Sequence, residues 1–219
     1  MTGYIVGAGA QGRVVAEAWR AQHPDAELRF LDDDPKLAGT AVLGLPVAGR
    51  VDLLATLGSA PAEAVLAIGH NHRRLALAAA WDGRGVRWAC VVHPSAVVVP
   101  SATLGPGTVV LPTAVVNADA RLGMHVVANT GAIVEHDCVL DDGAYIGPGV
   151  CMGGRVVIGR AAFIGAGVTL APRVRVGAGA IVGAGATVVE DVPPEMLAYG
   201  VPARVVRRID ATFDHGRLL

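Results

Sequence analysis

From about Val98 to Val192 the chain keeps a six-residue rhythm without a slip. A large aliphatic side chain returns at every sixth position, from Val98, Leu104, Val110 and Val116 through to Val176, Val182 and Val188, with Ala128 the one small member of the series. Four residues after each comes a small side chain, as at Ala102, Ala114, Ala132, Cys138, Ala162 and Ala180. A helix cannot use this spacing, because at ~100° per residue a step of six turns ~240° and scatters the apolar positions over three sides. A single strand cannot use it either, since strands run about 3 to 10 residues. The pattern fits a solenoid in which each hexad is a short strand plus a corner and every coil stacks its aliphatic residue on the coil below. In that register Cys138 and Met152 point inward.

The change of pattern near residue 92 divides the 219 residues into two units, 1–91 and 92–219. A net charge of −1 leaves no footprint for nucleic acid or an acidic membrane surface. The 53% hydrophobic content is assigned to the solenoid interior, because Gly, Pro or charge interrupts every apolar run short of the ~18 residues a membrane span needs. Met1 leads directly into a strand without a basic region or cleavage site, which reads as no signal peptide and a cytoplasmic protein. Three cysteines without CxxC spacing, Cys90, Cys138 and Cys151, read as reduced thiols and offer no metal site.

Residues 1–91 alternate strands, expected at 4–6, 28–31, 64–68 and 86–91, with helices expected at 11–21 and 73–81, a small doubly wound α/β unit. Gly7-Ala8-Gly9-Ala10-Gln11-Gly12 matches G-x-G-x-x-G between a strand and a helix, where glycines let the backbone approach a phosphate and the helix start supplies free N–H groups. Asp32 and Asp33 end the second strand, where an acid can hold a ribose hydroxyl or a base. Alone the fingerprint favours NAD, but about 90 residues are too few for both halves of a dinucleotide fold. Gly69, Asn71 and Arg73 follow a later strand, placed to touch base or phosphate, with a helix cap the other reading of Asn71.

Polar departures from the small, apolar solenoid surface are densest at Glu135-His136-Asp137. His is the side chain suited to take a proton near neutral pH, and an adjacent carboxylate can orient it. Asn117 precedes Glu135, and His136 precedes Gly154, by 18 residues, a whole number of hexads, so each pair shares a place in the repeat. His125 reads as a surface residue, and Asp141 and Asp142 as turn solvation.

Hexads such as Ile146-Gly147-Pro148-Gly149-Val150 and Ile164-Gly165-Ala166-Gly167-Val168 resemble the hexapeptide-repeat acyltransferases, which implies a left-handed parallel β-helix of about five coils. With the N-terminal glycine turn, the run from Phe30 to Pro35 and the stretch from Ala67 to Arg74, nearly the whole chain resembles the nucleotide-sugar and sialic acid acetyltransferase family. That resemblance implies an acetyl-CoA-dependent N-acetyltransferase acting on a nucleotide-linked amino sugar held by the N-terminal unit. It implies His136 as general base, Asp137 as its carboxylate partner ahead of Glu135, and the Gly154 N–H as oxyanion donor. It implies a homotrimer with the donor between subunits, lying on a side-chain-free track at Ala166, Gly167, Ala184 and Gly185, with Pro202, Arg204 and Arg207 of the terminal segment near the CoA phosphates. Tyr145 departs from the family, which has a second His near the thioester, and a phenol there can still donate to the thioester carbonyl. Sugar O-acetylation, a noncatalytic nucleotide-binding module and an NAD-dependent oxidoreductase remain the alternatives.

Overall fold

The computed structural model describes residues 2–59 and 62–210. Its first unit is a six-stranded sheet built on β1 (Thr2–Val6), β2 (Glu27–Leu31), β3 (Ala41–Val42), β4 (Leu45–Gly49), β5 (Ala62–Leu66) and β6 (Arg87–Trp88), in the order β3-β4-β2-β1-β5-β6. All pairings are parallel except β3 with β4. Fully buried Ile5, Phe30, Leu31 and Val65 fill the sheet, near-continuous apolar runs of the kind that a parallel sheet covered on both faces requires. Helix α1 (Ala10–Gln22) buries Val15, Ala16 and Trp19, and helix α2 (Asn71–Ala80) buries Asn71, Arg74 and Leu75.

Two differences from expectation have local causes. The β3–β4 hairpin carries no hairpin signal in the sequence, because its turn is Leu43-Gly44 with φ of 52° and 75°, a leucine taking the left-handed conformation usually signalled by Asn or Asp. The strand expected at 86–91 is two strands: β6 stays in the sheet, while Val91–Val92 leaves it and pairs with Val109–Val110.

From there the chain winds into a left-handed parallel β-helix of two-residue strands in three faces. Successive coils are 18 residues apart, as Val109 opposite Val127 and Val127 opposite Tyr145 show. The second residue of each strand is the hexad aliphatic and points into the core, where Leu140, Ile146, Met152 and Ile158 are at most 1% exposed. Corner glycines allow the coils to close up: a Cβ on Gly165 would lie 2.6 Å from the Ala184 nitrogen. A hairpin of Met196–Gly200 and Ala203–Arg208 extends the first face beyond Ile181–Val182.

The outward residues differ by face. On the first, Val91, Val109, Val127 and Tyr145 are buried against the N-terminal unit. The second presents Val97, Val115, Ile133, Cys151, Thr169 and Thr187, without a charge. The third carries Arg121 and Arg175 among Thr103, Val139 and Val157.

Helix α2 is joined to the prism by polar contacts. Arg74 is fully buried, its Nε donating to the His125 carbonyl and its terminal nitrogens to the carbonyls of Ile68, Gly69 and Gly143 and to Asn71 Oδ1. Burial lowers its pKa to about 10, which still leaves it charged at neutral pH. Asn71 Nδ2 donates to the carbonyls of Ala161 and Ala162, so this side chain is spent on the joint instead of meeting a base or phosphate. It is not the cap either, since His70 Nδ1 accepts from Arg73 N at the helix start. His125 is 2% exposed, with Trp88 edge-on at 5.0 Å; the α/β unit covers what the bare prism would leave open, and burial pushes the imidazole down to about 4.

Candidate active site

Glu135, His136 and Asp137 form the corner between the second and third faces. Asp137 takes φ of 58°, and the sharp corner folds its carboxylate back onto the preceding ring: His136 Nδ1 lies 2.8 Å from Asp137 Oδ2. With a carboxylate acceptor at Nδ1 the ring proton sits there and the lone pair is on Nε2. Asp137 is held below the usual carboxylate range, first by the bond from His136 and then by Arg155, whose Nε is 3.5 Å away. Glu135 is turned elsewhere, accepting from Asn117 Nδ2 at 3.1 Å and from the His136 backbone N–H at 3.2 Å. Asp137 is therefore the carboxylate that orients the ring.

Gly154 lies one coil above. A Cβ built on it would fall 2.5 Å from His136 Nε2, 2.6 Å from Cε1 and 3.1 Å from Cδ2, over the face of the imidazole, so only a residue without a side chain lets the ring lie here. Its carbonyl accepts from Arg173 N, and its N–H has no acceptor among the described residues.

A second feature is a pocket of about 690 Å³ beyond the carboxyl ends of β1, β2 and β5, where parallel sheets of this kind bind ligands. Gly7, Gly9, Ala10 and Gln11 line it, with Asp32 and Asp33 on one side and Gly69 and Arg73 on another. Gly9 caps α1 with an extended backbone and no side-chain partner, leaving the helix N–H groups facing the pocket. Gln11 Nε2 is buried without an acceptor among the described residues. Asp32 bonds the turn itself, accepting from Ala8 N at 2.7 Å and Asp34 N at 2.9 Å. Gly12 does not line the pocket; a Cβ there would collide with the Gly7 carbonyl, so this glycine is required by helix-to-strand packing. Tyr145 is the one prism residue in the wall. Its outward position on the first face puts it in this pocket of its own chain, on a different face from the His136 corner.

A family model described as the PglD N-terminal domain matches residues 4–80, and one described as bacterial transferase hexapeptide (six repeats) matches residues 155–189. A search of curated proteins by sequence finds no match. Perosamine N-acetyltransferase from Caulobacter crescentus, solved in complex with CoA and GDP-perosamine, is 38% identical over 94% of this chain and 97% of its own, with a TM-score of 0.88. The acetyltransferase domain of PglB from Neisseria gonorrhoeae, in complex with acetyl coenzyme A, is 37% identical over 94% of this chain and 98% of its own, at TM-score 0.90. WeeI from Acinetobacter baumannii follows at 29% identity, 94% and 100% coverage and TM-score 0.85. The chain belongs to the nucleotide-sugar acetyltransferase family.

The family's remaining expected positions fall on other parts of this prism. Ala166, Gly167, Ala184 and Gly185 are exposed at the corner between the first and second faces. The φ of Gly167 and Gly185, 66° and 70°, places them in the left-handed region, and nothing among the described residues would meet a Cβ there, so the track is open. Pro202, Arg204 and Arg207 lie on the exposed closing hairpin, where Arg204 pairs at 3.8 Å with Glu190. No group of three or more His, Cys, Asp or Glu among the described residues could hold a metal, and no described helix is long and apolar enough to cross a membrane. Sequence reasoning missed Arg74, Asn129 and Arg155, whose partners lie on neighbouring coils or across the joint.

Proposed function

We propose that this protein is a homotrimeric, acetyl-CoA-dependent N-acetyltransferase that acts on the amine of a nucleotide-linked amino sugar. The observation that carries the reading is the His136 ring, with Nδ1 on Asp137, the lone pair left on Nε2, and Gly154 of the next coil packed over the ring face. His136 Nε2 removes the proton from the amine as its nitrogen bonds to the thioester carbonyl carbon. Asp137 stabilises the imidazolium that results, and the Gly154 N–H donates to the carbonyl oxygen while it carries negative charge. When the C–S bond breaks, the imidazolium returns its proton to the departing thiolate, giving the amide and free CoA. Complexes of the two relatives with GDP-perosamine and CoA, or with acetyl coenzyme A, support both ligand classes.

Topology supports the trimer. The open glycine track and the His136 corner are different edges of one prism, separated by the uncharged second face. The pocket borders the first face, which does not include the His136 corner. A closed ring of copies sets one edge of each prism against a different edge of its neighbour, so pocket and track from one copy meet the base of the next. The three free cysteines agree with a reducing, cytoplasmic setting.

The test is CoA release over UDP-, GDP- and dTDP-linked amino sugars, each paired with the analogue in which a hydroxyl replaces the amine. Turnover of an amino sugar and none of its hydroxyl partner is expected. Turnover of hydroxyl acceptors alone would establish O-acetylation, and activity with none of the panel would overturn the reading.

A further inference from the structure

We infer that the Tyr145 hydroxyl is a specificity determinant that donates a hydrogen bond to the hexose end of the bound nucleotide sugar, and does not serve the thioester. This rests on the pocket being the sugar-nucleotide site proposed above. The orientation of the phenol follows from its neighbours. Asn129 is buried, and its Oδ1 accepts from the Thr130 backbone N–H at 2.8 Å, which fixes the amide so that Nδ2 points at Tyr145. Nδ2 then donates to the phenol oxygen at 2.6 Å. A hydroxyl that accepts there must send its own proton elsewhere, and among the described residues it meets no acceptor. The ring cannot swing away to find one, being stacked on Phe163 at 4.9 Å with the planes 8° apart, and 9% exposed. Burial raises the phenol above its ordinary pKa, so the donor keeps its proton at any working pH.

The pocket wall sets the direction in which that proton is offered. Asp32, Asp33 and Val51 form the end suited to a nucleoside, and Gly7, Gly9 and Ala10 the turn suited to a diphosphate. Among the described residues Tyr145 is the one wall residue from the prism, and so it marks the end at which a sugar would approach the prism. A site built to satisfy a buried donor rejects ligands that leave it unpaired. The phenol therefore favours sugars that place an oxygen acceptor at this end.

Calorimetry on the full-length protein tests this with three probes: a nucleoside diphosphate, the corresponding nucleotide amino sugar and acetyl-CoA. Tyr145→Phe is expected to weaken the nucleotide sugar by about 3- to 10-fold, the range for one neutral hydrogen bond, while the diphosphate and acetyl-CoA change by less than about twofold. Asn129→Ala, which keeps the phenol but removes its clamp, should weaken the same probe in the same direction. Retained acetyl-CoA binding shows that the variants fold. Unchanged sugar affinity in both, or a loss confined to acetyl-CoA, would overturn the inference while leaving the pocket assignment intact. If the wild type binds no nucleotide sugar of the panel, the pocket assignment itself fails and the inference with it.

Discussion

Adding one methyl group at Gly154 should disable the proposed general base, His136, without harming the fold. A Cβ there would stand 2.5 Å from His136 Nε2 and 2.6 Å from Cε1. Ordinary carbon contacts lie at about 3.5 Å, so the ring must retreat by about 1 Å. Gly154 does not occupy the left-handed region, so alanine fits its backbone, and the His136 side chain is 54% exposed and free to move. Retreat stretches the 2.8 Å bond from Nδ1 to Asp137 and carries the lone pair away from the acceptor amine. A 1 Å misplacement of a reacting group can cost about 10²-fold, so Gly154→Ala is expected to lower kcat by about that factor. Melting temperature should stay within about 2 °C, because no buried apolar group is lost. The assay is steady-state CoA release alongside thermal unfolding. A Gly154→Ala enzyme that keeps its kcat within twofold would refute the idea that the ring must occupy this position.

His136→Ala should lower turnover by about 10² to 10⁴, the range for losing a general base, with thermal unfolding unchanged; activity retained within a few fold would remove His136 from its role. Gly9→Val should weaken nucleotide-sugar binding by at least about tenfold, because the side chain would enter the phosphate turn. Apart from its chain neighbours, no atom of the described residues lies within 4 Å of a Cβ at Gly9, so unfolding and acetyl-CoA binding should be unaffected, as calorimetry and thermal melts can check. Stability should fall as the pH drops below about 6.5. The buried His125, with its pKa lowered to about 4, stays neutral in the fold while the unfolded chain takes up a proton. From this group alone urea unfolding should show about 2 kcal/mol less stability at pH 5 than at pH 7, and His125→Gln should flatten that slope.

The prism was legible in the sequence because its constraint is periodic: each inward aliphatic is named by its distance from the last, and Met152 and Cys138 lie where that count puts them. The Glu135-His136-Asp137 corner was legible because its members are adjacent in the chain, and the coil length brought Asn117 and Gly154 to it. What escaped depends on the joint between the two units. Asn71 reads as a contact for base or phosphate, or as a helix cap, until the carbonyls of Ala161 and Ala162, some ninety residues on, are placed beside it. His125 reads as exposed until Trp88 covers it. Tyr145 carries no sign in its hexad that the face it stands on is the wall of another unit's pocket.

The division of labour between neighbouring copies can be measured by co-assembling His136→Ala chains with Gly9→Val chains in equal amounts, assayed at nucleotide-sugar concentrations far below the wild-type KM, where each alone has little activity. If base and pocket come from different copies, a site works when its base is from a Gly9→Val chain and its pocket from a His136→Ala chain. Random mixing gives that pairing at about a quarter of the sites in a symmetric ring. Turnover of the nucleotide amino sugar near a quarter of the wild-type rate is expected. A mixture no more active than its two components, in assemblies shown to contain both chains, would contradict a shared site and place the base and the pocket in one subunit.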